Sequence, residues 1–208
     1  MYLKIGHLVP VTVIKASPQH EAYLMAIANS ELMAILPKDH AGKPLKIGDN
    51  TIGVVHDFHG ERALLSQRTA PFIRRMTELL LSPLLVDGSV KVRRAAAIKD
   101  VGFAKVAIEG NNGCDPITRS IPYLKGAQDY TDTSITLIRY SRDPMEYIAN
   151  ALCPGPREGI HGITYDPDAD EYVVRVKSSY IKKFCGPRNM NVAMAAKLTN
   201  YKITLMPV

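Results

Sequence analysis

The chain has no tryptophan, few other aromatics, three cysteines and no long apolar run, and each scarcity excludes something. Aromatics make up 7% of its 208 residues, which argues against one large ring-packed sandwich and for several small cores of Ile, Val, Leu and Ala. Cys114, Cys153 and Cys185 are odd in number and far apart, with no close pair to grip zinc or start a disulfide framework. The expectation is reduced, buried thiols in a cytoplasmic protein. No apolar run reaches the ~18 residues that a membrane span needs. The start, "MYLKIGHLVPV", lacks the basic region and apolar core of a secretory leader. No phosphate-binding glycine loop, Ser-His-Asp set or paired catalytic carboxylates stand out. The sequence therefore predicts no enzyme, with no cofactor, no metal and no membrane partner.

What the chain does have is positive charge. Lys and Arg number 26 against 20 acidic residues, for a formal charge of +6 and a pI near 9.2, an excess compatible with a polyanionic partner. Two metal-like patterns fail on spacing. Asp166, Asp168 and Asp170 open like a calcium loop, but Glu171 stands at the glycine position and Lys177 where the bidentate glutamate belongs. His56 and His59 have no third ligand at credible spacing.

Periodicity divides the chain. From Leu8 to Ser66 the runs "LVPVTVIKA", "EAYLMAIA", "ELMAILP", "NTIGVVHDF" and "RALLSQR" are β-compatible and separated by turn-rich joints. Five short strands at this spacing predict a small closed or half-closed barrel. "TAPFIRRMTELLLSPLL" then changes to helical spacing, with Thr69 as cap, Pro71 in the first turn and Pro83 as a stop, predicting a helix over 71–82. After it the order helix, strand, strand, helix, helix, strand is written twice. The first copy runs through "SVKVRRAAAI", "FAKVAIE", a helix from Asp115 and "SITLIRY"; the second through "DPMEYIANAL", "GIHGITY", "EYVVRVK", two helices near 179–185 and 190–199, and "YKITLMPV". Each copy reads as an α+β unit with helices on one face of a small sheet.

"RALLSQRTAPFIRRMTELL", "DPMEYIANALCPG" and "NVAMAAKLTNYKITLM" resemble the RNA-binding part of the NusA family of transcription termination and antitermination factors. The resemblance covers nearly the whole chain. It implies an all-β, OB-type S1-like barrel at 1–68, then two α+β KH domains of type II at 69–142 and 143–208. The family's N-terminal polymerase-binding domain is expected to be absent, because residue 1 lies just before the barrel. The implied partner is single-stranded RNA, the nascent transcript, with RNA polymerase or other transcription factors as further partners.

KH domains carry a GxxG loop between two helices, where missing side chains let an RNA backbone lie close. In the second copy this loop is Gly186-Pro187-Arg188-Asn189. Asn replaces the second glycine and tolerates left-handed backbone, Pro187 removes an N–H, and Arg188 offers a forked cation. Tyr180, Ile181, Phe184 and Cys185 fall on one face of the preceding helix, with Lys182 and Lys183 on the other; Lys197 follows on the next. In the first copy the aligned loop is Tyr123-Leu124-Lys125-Gly126. Tyr123 blocks it and is expected to pack internally or cover the lost groove, leaving Lys125, Gly126 and Arg139 as candidates. On the barrel, Tyr23, Phe58, His59 and Arg62 are the candidates for bases and phosphates. The rival reading is a protein-interaction module whose decayed loops no longer hold RNA.

Overall fold

The computed structural model describes residues 3–98, 102–111 and 113–208. Five strands, β1 (Leu8–Ser17), β2 (Ala22–Ile27), β3 (Met33–Pro37), β4 (Asn50–His59) and β5 (Arg62–Ser66), close into a barrel of order β1-β2-β3-β5-β4. The closing contact is antiparallel pairing of β1 with β4, Leu8 opposite Val54. Period-two alternation builds the interior: Val9, Val11 and Val13 of β1 point inward with Met25, Ile27, Leu36 and Leu65. Each such aliphatic side chain contributes roughly 1.5–3 kcal/mol of burial. In β4 the alternation is suspended, and Thr51 to Val55 are all buried. Helix α1 (Ala70–Leu80) packs on β1 and β4, so this strand is covered on both faces.

Phe72, Ile73, Met76 and Thr77 form the buried face of α1, and the Thr77 hydroxyl donates to the Ile73 carbonyl at 2.7 Å. Thr69 occupies the cap position without making a side-chain capping bond. The predicted stop at Pro83 needs correction. Helix α1 ends at Leu80, and Pro83 lies in the first turn of a second short helix, α2 (Ser82–Val86), where a missing N–H costs nothing.

Contacts group the described residues into two compact units, one of 3–83, 97–98, 102–104 and 120–134, the other of 84–96, 105–111, 113–119 and 135–208. In the first unit a 3₁₀ run, Ile121–Asp129, packs on α1. The residues after it are held to the barrel: the Asp132 N–H donates to the Gly42 carbonyl at 3.0 Å, and Arg68 donates to the Ala41 carbonyl at 2.6 Å and to Asp132 at 3.1 Å.

Strands β6 (Val90–Ile98), β7 (Phe103–Gly110) and β8 (Ser134–Arg139) form one three-stranded sheet in that order, with α3 (Pro116–Ser120) between β7 and β8. The second unit continues with α4 (Pro144–Ala151), β9 (Ile160–Asp166), β10 (Glu171–Val176), α5 (Ile181–Cys185), α6 (Met190–Thr199) and β11 (Ile203–Pro207). Asp143 caps α4 by accepting the Met145 N–H at 3.0 Å. The second sheet has order β11-β10-β9, antiparallel between β9 and β10 and parallel between β10 and β11. Parallel neighbours need a crossover, and α5 and α6 supply it, burying Phe184, Met194, Ala195 and Leu198 with Val174 and Val176.

The aspartates that fail as a calcium loop form a turn between β9 and β10, in which Asp166 accepts the N–H groups of Asp168 and Ala169. The expected burial of the thiols is not met, since Cys153 is exposed and Cys114 and Cys185 are only partly covered. Among the described residues no helix is long and apolar enough to cross a membrane.

Candidate nucleic-acid interface

Helix α5 ends where the chain turns left-handed. Gly186 has φ +67° and ψ 176°, Arg188 φ 50° and ψ 34°, and Asn189 φ 60° and ψ 19°. Three of four residues in this turn therefore lie in backbone regions that L side chains seldom adopt. Asn189 takes the left-handed geometry its side chain tolerates, as its substitution for glycine predicts. Gly186 is also fixed from within: a Cβ there would stand 2.8 Å from the Asn191 Cβ and 3.1 Å from its amide nitrogen. The glycine thus serves the packing of α6 as well as any approaching ligand. Pro187, Arg188 and Asn189 are exposed.

The flanking helices present cations on the solvent side. Lys182 and Lys183 are exposed and Phe184 is buried, the two-faced pattern that the spacing predicts. The Lys183 ammonium lies 5.4 Å from the centre of the Tyr180 ring, within cation–π range. Lys197 is exposed on α6.

Beneath the turn lies a polar cluster that sequence reasoning missed. Asn191, buried in the first turn of α6, donates to the carbonyls of Leu152 and Phe184 at 2.9 and 2.8 Å. Its oxygen accepts from Lys105 at 2.6 Å, and the same ammonium donates to the carbonyls of Ala151 and Cys153. Lys105 is fully buried, and burial pushes its pKa down to about 8. These bonds tie β7, the end of α4 and the start of α6 at one point. The one signal was a lysine inside the apolar run "FAKVAIE".

The first copy is built differently. Tyr123, Leu124, Lys125 and Gly126 do not form a turn between helices; they lie inside the 3₁₀ run. Gly126 has ordinary backbone, and a Cβ there would sit 3.3 Å from a Leu80 methyl, so its small size serves helix packing. Tyr123 does not pack internally, being 38% exposed. Lys125 is exposed and falls in the first unit. Arg139, in the second, is engaged with the Asp115 carboxylate at 3.0 Å. The Thr118 hydroxyl, followed by Arg139, holds that carboxyl below the usual range.

On the barrel the candidates divide. Tyr23 is 6% exposed, and its hydroxyl accepts the Leu45 N–H at 3.2 Å, so it is a core residue and offers no open stacking face. It still lines a cavity of about 260 Å³ with Arg62, Lys15 and His20. In the β4–β5 hairpin His59 is opposite Arg62 and Phe58 opposite Ala63, so alternation sends Phe58 and Arg62 to opposite faces. Phe58 is 39% exposed, and His59 and Arg62 are exposed.

No protein-family model matches the chain. Among curated proteins it is similar to the transcription termination/antitermination protein NusA of several bacteria. Identity is 31% over 128 residues with that of Thermus thermophilus, covering 58% of this chain and 32% of the relative. It is 27% over 154 residues with that of Halalkalibacterium halodurans, covering 70% and 38%, and 25% over 191 residues with that of Rickettsia prowazekii, covering 85% and 37%. The chain thus spans about a third to two-fifths of the length of these curated relatives. Among solved structures, APE1850 overlaps with a TM-score of 0.46 at 16% identity, over 66% of this chain and 97% of its own. An a/eIF2alpha-aDim2p-rRNA complex from Pyrococcus horikoshii overlaps with a TM-score of 0.30 at 15% identity, over 42% and 64%. Overlaps that loose carry no functional weight, whereas the sequence likeness recurs with relatives from several bacteria: in its sequence, this chain is NusA-like.

Proposed function

We propose that this chain binds RNA as a single strand and acts on the nascent transcript in elongation, termination or antitermination. The observation that carries the reading is the turn Gly186–Asn189, with its left-handed backbone, exposed Arg188 and adjoining lysine face on α5. A phosphate could approach such a turn closely, and Arg188 supplies the fork that suits it. The five-stranded closed barrel supports an S1-like, OB-type module, and the two three-stranded sheets, the second with its crossover helices α5 and α6, support two KH-type modules. RNA polymerase and other transcription factors are further proposed partners, as the resemblance to transcription termination/antitermination proteins implies. The proposed activity is binding, without chemistry or cofactor.

The test is fluorescence anisotropy of the purified chain with a short single-stranded RNA pool and with the same sequences in duplex, at two salt concentrations. Binding of the single strands, weakened by salt and stronger than binding of the duplex, is the expected result. Equal binding of both forms would remove the single-strand reading. No binding of either would leave the protein-interaction module, which already has in its favour the packed 3₁₀ run that holds the first copy's blocked loop.

A further inference from the structure

The second unit holds a cavity of about 240 Å³ lined by none of the residues discussed above as RNA contacts. Its walls are arginine and tyrosine: Arg93 and Arg94 from β6, Tyr140 and Arg142 from the link between β8 and α4, Tyr147 from α4, and Tyr201 just after α6. Two of these are fixed. Arg93 bonds Glu109 and lies 5.3 Å from the centre of the Tyr140 ring, and the buried Tyr147 donates its hydroxyl proton to the Leu198 carbonyl at 3.2 Å. Asp143, beside Arg142, is engaged at the α4 cap. Arg94 and Arg142 are exposed and, among the described residues, pair with no carboxylate. From Tyr201 the aromatic surface continues to Tyr172 at 5.0 Å and on to Tyr165 at 5.1 Å, which is about half exposed.

Uncommitted guanidinium groups beside tyrosine faces suit a phosphate that carries a flat ring. The volume is below the ~300–1,000 Å³ of most small-molecule pockets, which fits one nucleotide better than a dinucleotide cofactor. We propose that this cavity is a nucleotide site distinct from the Gly186–Asn189 turn, with Arg94 and Arg142 taking the phosphate and Tyr201 and Tyr140 the base. The nucleotide is either one residue of an RNA strand, an arm that rests on the RNA reading above, or a free mononucleotide, which does not.

The experiment is calorimetric titration of the intact chain with UMP, AMP and inorganic phosphate, and anisotropy with a short single-stranded RNA. Variants are the pair Arg94→Ala with Arg142→Ala, Tyr201→Leu, and, as a control outside the cavity, Lys46→Ala at an exposed lysine of the first unit. Mononucleotide binding stronger than phosphate binding is expected, weakened about five-fold or more by Tyr201→Leu, the lower end of base stacking. The double arginine variant should abolish it, and Lys46→Ala should leave it unchanged. If the source is RNA, the double variant should also reduce the slope of log affinity against log salt by about 1.4, two contacts at ~0.7 each. If mononucleotide affinity falls while RNA binding is unmoved, or no RNA binds, the ligand is the free nucleotide. Phosphate held as tightly as UMP and AMP, or mononucleotide binding unchanged by the double variant, would overturn the site; strong RNA binding would then still uphold the reading of the turn.

Discussion

The turn at Gly186–Asn189 and the stretch Tyr123–Gly126 hold the same place in the repeated element order, yet they are built on different supports. The first is an open left-handed turn whose glycine is pressed against Asn191, itself held by Lys105 and two backbone carbonyls. The second is a continuous 3₁₀ run whose glycine accommodates Leu80 of α1. In one region glycine is needed for its φ, in the other for its missing volume. In this chain the open turn sits on a buried polar framework, and the segment packed on the apolar face of a helix is a 3₁₀ run.

The hardest test of that contrast removes each support. Lys105→Met leaves the carbonyls of Ala151 and Cys153 and the Asn191 side chain without their donor, and at ~1–3 kcal/mol for each unsatisfied buried group the loss should be at least about 3 kcal/mol. Leu80→Ala removes a half-buried side chain and should cost about 1–2 kcal/mol. Urea unfolding compares them, and equal losses would show that the polar cluster is no stronger a support than helix packing.

The lysine also predicts a pH signature. In the unfolded chain it holds its proton up to about 10.5, and in the folded chain only up to about 8. Between those values the unfolded state binds more protons, so this group's contribution to stability rises with pH through the window, by at most ~1.4 kcal/mol per pH unit, and is flat below it. Unfolding of the parent and of Lys105→Met at pH 8 and about pH 10 isolates the effect, since other groups titrate alike in both. An unchanged difference between the two proteins would mean that the folded lysine keeps its proton.

The contrast was only partly legible in the sequence. Strand alternation in "LVPVTV" and helical spacing in "PFIRRM" depend on neighbouring residues, and they led to the barrel and to α1. The turn itself could be read because Gly, Pro and Asn have intrinsic backbone preferences. The polar cluster could not, because Lys105 and Asn191 are 86 positions apart, and no periodic signal joins such a pair. Tyr23 shows the limit from the other side: its place in β2 fits either face, and only the closed barrel turns it inward. The 3₁₀ geometry of the first copy's segment was not legible, because alignment by element order assumes the same support beneath both segments.

Glycine substitution gives the next largest effect. Gly186→Ala adds a Cβ at positive φ and 2.8 Å from another Cβ, so it should destabilise by ~1–3 kcal/mol. Gly126→Ala has ordinary φ and a movable leucine methyl at 3.3 Å, and its cost should stay under about 1 kcal/mol. Thermal unfolding ranks the two, and a larger loss at Gly126 would reverse the roles assigned to the glycines.

The smallest effect concerns the ligand and leaves the fold alone. Arg188 and Lys125 are both exposed, so replacing either by alanine should shift stability by no more than ~0.5 kcal/mol. If a phosphate lies at the open turn, Arg188→Ala removes one cation from it and reduces the slope of log RNA affinity against log salt by ~0.7. Lys125→Ala, on a segment with no turn for a strand to enter, should leave the slope unchanged. The comparison needs the slope as well as the affinity, because losing any positive charge from a chain of net +6 weakens RNA binding at low salt, whereas a lost contact changes the number of counterions released. A fall in slope for Lys125→Ala equal to that for Arg188→Ala would mean that the strand also follows the 3₁₀ run, and that an open, left-handed turn is not what this chain requires to hold RNA.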